Sequence, residues 1–147
     1  DRAYDKIVIF CWHKSVMAEL MHRLKRFHPA HIRGGMHEDT RKAQEHRFQN
    51  GAQCRVLIGQ TMACGVSITL TAAAEVAVVG PAFTPADNTQ AVLRCHRIGQ
   101  PRPVRARFFY IDNGTDKKMQ QILMRRTRDM ASLFDVPPLV VNPMEGL

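Results

Sequence analysis

The chain has 147 residues, 45% hydrophobic and 23% charged, enough for one globular domain with a real core. No apolar run approaches the roughly 20 residues a bilayer span needs, and Asp1–Lys6 carries no signal-peptide pattern. The net charge of +8 favours a polyanionic partner, most simply nucleic acid.

The chain lacks an initiator Met, which raises the expectation of a fragment. Cys11, Cys54, Cys64 and Cys95 stand far apart with no CxxC, and His28 and His31 have no cysteine pair. Cys11 and Cys54, in or beside expected strands, read as small core residues, no structural metal is expected, and the widely spaced free thiols suit a reducing compartment. That is an intracellular setting: cytoplasmic in a bacterium, nuclear in a eukaryote.

Taken in order, Lys6–Trp12 is a continuous apolar run, as expected of a buried parallel strand. Val16, Met17, Leu20, Met21, Leu24 and Phe27 then form one helical stripe over Ser15–Phe27, ended by Pro29. His31–Arg33 reads as a short strand closed by Gly34-Gly35. Asp39-Thr40 can cap a second helix reaching about Phe48, stopped at Asn50-Gly51. Arg55–Gly59 and Glu75–Gly80 are further strands, with an irregular stretch or short helix over Gln60–Thr71 between them. Thr84 followed by Pro85 is a helix start, and the helix is expected to run to Gly99. Arg102–Asp112 is a last strand. Thr115 opens a last helix with Met119, Ile122, Leu123, Met130 and Leu133 on one side, and after Asp135 the tail with Pro137-Pro138 leaves the helix.

Strands alternating with helices imply βαβ units and a mainly parallel sheet covered on both faces. Ligands then meet the loops after the strands, here Trp12–Lys14, Gly34-Gly35, Gly59–Thr61 and Gly80-Pro81.

The most informative stretch is Gln90-Ala91-Val92-Leu93-Arg94-Cys95-His96-Arg97-Ile98-Gly99-Gln100. On one helix Arg94 and Arg97 would be i and i+3 and share a face. Two fixed guanidiniums suit a polyphosphate, because their planar forks bind phosphate oxygens bidentately. The stretch resembles motif VI of the superfamily 2 helicase-like ATPases, in the form most like the Swi/Snf family of DNA-dependent translocases. Other segments resemble that family in the same order. Val8–Lys14 resembles motif IV, and Ile32-Arg33-Gly34-Gly35 with Arg41 and Phe48 resembles its I-x-G…R…F segment. Ile58–Ala73 resembles motif V, keeping Ala63, Gly65, Ile68, Thr69 and Leu70 but placing Cys64 and Ser67 where glycine is common. Pro81–Ala91 resembles the family's approach to motif VI, and Gly114-Thr115-Asp116 resembles the opening of its last helix.

The chain has no G-x-x-x-x-G-K-[ST] phosphate loop and no Asp-Glu pair ending an apolar strand. Family members carry those in a preceding lobe. The resemblance therefore implies the second RecA-like α/β/α lobe of a two-lobe motor over residues 1–135, with a Pro-containing tail over 136–147. It implies ATP with Mg2+, held mainly by the N-terminal RecA-like lobe, and double-stranded DNA as partner. Arg97 would be the arginine finger, supported by Arg94. Gln90 and Gly65 would help hold the nucleotide. His13, Lys14, Arg33, Gly34, Thr61 and Gly65 would face DNA phosphates. By itself this lobe is expected to hydrolyse little or no ATP. A competing expectation is a non-catalytic nucleic-acid-binding module that keeps the fold. A dinucleotide-binding domain fails on the missing G-x-G-x-x-G.

Overall fold

The computed structural model describes residues 6–63, 68–82 and 84–109, together with Lys118, Gln121, Ile122 and Arg125, which are helical. β1 (Ile7–Cys11), β2 (Ala30–Ile32), β3 (Val56–Gln60), β4 (Glu75–Val79) and β5 (Arg105–Phe109) form one sheet in the order β2-β3-β1-β4-β5. Every pairing is parallel, with Ile9 of β1 facing Ile58 on one side and Ala77 on the other. The three central strands read as unbroken apolar runs because both faces of the sheet are covered.

Side chains alternate between two buried layers. Val8, Phe10, Ile32, Leu57, Val76 and Val78 pack with Phe48, Ile68, Leu70, Ala91, Val92 and Cys95. Ile9, Cys11, Val56, Ile58 and Ala77 pack with Met17, bordered by Val16, Leu20, Met21, Leu24 and Phe27.

α1 (Lys14–Arg23) carries the expected stripe but ends sooner than the stripe does. Lys25–Phe27 tightens into a 3-10 turn and His28 takes a left-handed φ of 49°. Pro29 disfavours helical backbone at His28, and the chain must reverse here to enter β2. α2 (Glu38–Asn50) starts one residue before the expected cap: His37 is the N-cap, its Nδ1 accepting from Asp39 N–H at 3.4 Å. Asp39 and Thr40 lie inside the first turn, where Glu38 and Asp39 suit the positive end of the helix. Gly51 ends α2, and a Cβ there would stand 2.5 Å from the Arg47 carbonyl. Lys6 caps the same end, its Nζ donating to the carbonyls of Phe48, Gln49 (3.4 Å) and Gly51 (2.9 Å). That cation meets the negative end of the helix dipole, while burial lowers its pKa.

β5 begins at Arg105, not Arg102, and pairs across to Glu75, which lies 3.6 Å from Arg105 and 3.3 Å from Arg107. The expected last helix, apart from the four helical residues named above, the tail and the boundary at 135 lie outside the described residues. Among the described residues no helix is long and apolar enough to cross a membrane.

Candidate nucleotide and nucleic-acid site

All five strands end at the same sheet edge, so the loops after β1, β2, β3 and β4 share it. His13 and Lys14 follow β1 and are exposed; Arg33 and Gly34 follow β2 and are exposed. Gln60, the last residue of β3, ties these loops together. Its Oε1 accepts from Gly34 N–H at 3.1 Å and its Nε2 donates to the Trp12 carbonyl at 3.4 Å. Thr61 lies beneath them, 4% exposed, with its N–H (2.9 Å) and hydroxyl (3.2 Å) both donated to the Cys11 carbonyl. Four of the sequence-predicted contact residues thus line one edge, while Thr61 supports that edge from below. Gly65 lies outside the described residues.

Residues 68–73, the second half of the motif V segment, bury Ile68, Leu70 and Ala73 in the core and are hydrogen-bonded mainly through their backbone. α2 supplies three of the bonds: Glu45 Oε1 accepts from Thr69 N–H (2.8 Å), Gln49 Oε1 accepts from Ala72 N–H (2.8 Å), and Gln49 Nε2 donates to Thr71 Oγ1 (3.1 Å). From the other side, Leu70 N–H donates to the Arg94 carbonyl at 2.9 Å. Gln100 Nε2 reaches the carbonyls of Thr71 (3.0 Å), Ala73 (2.7 Å) and Cys95 (3.3 Å). Arg102 Nη2 donates to the Ala72 carbonyl at 3.0 Å. Such directed hydrogen bonds fix individual backbone atoms, which an apolar contact cannot do.

α3 (Pro85–Leu93) begins as its sequence indicates. Thr84 Oγ1 accepts from Asp87 N–H at 3.3 Å, and Pro85 stands at the first turn. Buried Asn88 clamps the Ala82 backbone at both ends, accepting at 2.8 Å and donating at 3.1 Å. The helix does not reach Gly99. It ends at Leu93; Arg94 is its C-cap, and residues 94–99 continue as turns, with Gly99 at φ 99°. The expectation that Arg94 and Arg97 share a helix face is therefore corrected. Buried Cys95 plugs the core, and its neighbours Leu70 and Gln100 draw the chain off the helix path into bonds with residues 70–73.

Arg94 is half-buried at the helix end. Arg97 lies on the exposed turn, yet its Nη1 donates to the Ile68 carbonyl at 3.1 Å and to Thr69 Oγ1 at 3.3 Å. A groove lined by Thr69, His96, Arg97 and Ile98 opens beside it, with Ile98 fully solvent-exposed. Gln90 is exposed on α3. Gln60, Glu45, Gln49 and Gln100 were missed as site residues. The one usable signal was a polar residue ending an otherwise apolar strand, Val-Leu-Ile-Gly-Gln60.

Residues 1–99 match the family described as the helicase conserved C-terminal domain. The DNA repair protein RAD5B of Arabidopsis thaliana is 31% identical over 129 residues, 86% of this chain and 10% of that protein. The SWI/SNF-related matrix-associated actin-dependent regulator of chromatin subfamily A-like protein 1 of Drosophila melanogaster is 31% identical over 82% of this chain and 16% of its own length. The ATP-dependent helicase rhp16 of Schizosaccharomyces pombe is 26% identical over 95% of this chain and 16% of its own. The chain thus spans only 10–16% of the length of these relatives. Among solved structures, the crystal structure of the C-terminal part of the Fun30 ATPase domain superposes with a TM-score of 0.76 at 25% identity, covering 80% of this chain and 38% of that one. With a parallel RecA-like sheet and the motif segments gathered at one edge and one groove, the chain belongs to the helicase conserved C-terminal domain family, as a C-terminal lobe of the Swi/Snf-like branch of superfamily 2.

Proposed function

We propose that this chain is the second lobe of an ATP-dependent DNA translocase, supplying an arginine finger and DNA-backbone contacts to a motor completed by an N-terminal RecA-like lobe. The observation that carries the reading is Arg97: its guanidinium is exposed at the groove but anchored through one nitrogen on residues 68 and 69. An arginine held this way keeps its remaining donors for phosphate oxygens.

The described side chains suit a polyphosphate, with Arg97, Arg94 and Gln90 on the turn and helix of motif VI. Mg2+ is assigned to the N-terminal RecA-like lobe, as the family resemblance implies. When bound, ATP supplies the γ-phosphoryl group whose transfer drives the cycle. Arg97 neutralises charge developing on it, and Arg94 supports the turn from the helix end. His13, Lys14, Arg33, Gly34 and Gly65 contact DNA phosphates, and Thr61 and Gln60 hold the first two loops in register. Binding through phosphates is salt-dependent and sequence-tolerant. Residues 68–73 bond both to the second half of α2 and to the Arg97 turn, so one braced segment joins that helix to the finger.

The test is ATP hydrolysis by the longer parent protein with and without duplex DNA, beside Arg97→Ala. DNA-stimulated turnover that falls roughly 10³-fold in the variant is expected. No turnover with DNA binding intact points instead to a non-catalytic nucleic-acid-binding module. Steady hydrolysis by the 147-residue chain alone, abolished by Arg97→Ala, overturns the half-motor reading.

A further inference from the structure

The opposite edge of the sheet is strongly basic. α1 runs back along the sheet between two parallel strands, so its last turn and the following 3-10 turn finish where β2 and β3 begin. Arg55 N–H donates to the Phe27 carbonyl at 3.3 Å and Arg47 Nη2 donates to the His28 carbonyl at 2.9 Å, bringing the start of β3 and the last turn of α2 to the same point. Arg23, Lys25, Arg26, His28, Arg47 and Arg55 are all exposed there. The Arg26 guanidinium lies 4.6 Å from the centre of the Phe27 ring, which steadies its planar group. Glu19 on α1 contacts Arg23 at 2.5 Å, and Glu75 at the start of β4 lies between Arg105 and Arg107.

We infer that this amino-terminal sheet edge is a second binding surface for nucleic-acid phosphate backbone, separate from the motif loops. The five-residue strands between the two edges hold them about 17 Å apart. A protein partner would need an apolar anchor. The exposed large apolar residues among those described are Met62, Leu93, Ile98, Phe109 and Ile122, none of which belongs to α1, the 3-10 turn or α2. Clustered cations without an apolar centre suit a polyelectrolyte, whose released counterions supply the affinity. The inference does not depend on the motor reading.

The experiment is anisotropy of a fluorescein-labelled 25-bp duplex (about two helical turns) with the protein across a KCl series. Lys25→Glu with Arg26→Glu is compared with Lys42→Glu with Lys118→Glu, an equal charge change at exposed positions elsewhere. The first pair should weaken binding about tenfold or more, and lower the slope of log affinity against log salt by about 2, one per lost phosphate contact. The control pair should weaken it much less. Lys25→Gln with Arg26→Gln should give the same change in slope with a smaller loss, and urea midpoints should match the parent. Equal loss in both charge-reversal pairs reduces the effect to net charge and overturns the inference. Loss of poly-glutamate binding with DNA binding untouched also overturns it, in favour of an acidic-peptide surface.

Discussion

α1 and α2 cover opposite faces of the same sheet by different chemistry. α1 lays Met17 into the layer of Ile9, Cys11, Val56, Ile58 and Ala77, with Val16, Leu20, Met21 and Leu24 along its border. α2 buries one side chain, Phe48, and otherwise reaches inward with Gln44, Glu45 and Gln49, which bond to His31, Thr69, Thr71 and Ala72. An apolar stripe needs only matching volume, so α1 can cover the sheet without dictating where any backbone atom lies. Amide and carboxylate bonds specify atoms, so α2 sets the path of the segment on which Arg97 rests. The helix with the weaker apolar face is the one bonded to the segment that holds Arg97.

Removing the single apolar anchor of α2 is expected to be the most damaging change: Phe48→Ala should cost about 3–5 kcal/mol, against about 2–5 kcal/mol for Met17→Ala, whose neighbours on the stripe remain. Urea unfolding of both variants checks the order. A loss below about 1 kcal/mol for Phe48→Ala would mean that α2 is held by its polar bonds alone.

Next come those polar bonds. Glu45→Ala and Gln49→Ala should each cost about 1–3 kcal/mol, because Thr69 and Ala72 lose their N–H partners. Combined with Gln100→Ala, which frees the carbonyls on the other side, their effects should depart from additivity by at least ~0.5 kcal/mol. Strict additivity would show that residues 68–73 do not act as one unit. Thr84→Ala, which removes the α3 cap, should cost about 1 kcal/mol and leave this coupling unchanged.

A last comparison uses two buried thiols, one in each layer. Burial pushes the Cys11 thiol up to about 11 and the Cys95 thiol up to about 12, from an ordinary 9.0. Below pH 9 both states keep these protons and stability is unaffected. As pH rises from 9 toward 11 the unfolded chain releases them first, so stability should fall across that window. Pulsed alkylation read by mass spectrometry separates the layers. Met17→Ala should expose Cys11 first, and Glu45→Ala should expose Cys95 first. Equal exposure in both variants would show that the layers open together.

Much of this molecule was legible in its residues. Apolar runs located β1, β3 and β4, the 3.6-residue stripe located α1, and Thr84-Pro85 marked the start of α3, because each signal is local to the segment that uses it. The Gln90–Gln100 stretch likewise pointed to the correct family. What tertiary structure alone decided was how those pieces meet. Arg94 and Arg97 looked like helix neighbours, but the helix stops at Leu93 because residues 94–100 gain bonds to residues 68–73 that a continuing helix would forgo. Thr61 looked like a phosphate contact and is a buried brace for β1. Glu45 and Gln49 carry no local signal in the sequence, yet they hold backbone more than 20 residues away. Periodicity reports which side of an element is apolar. It carries no information about which distant backbone a polar side chain will find once the sheet has brought them together.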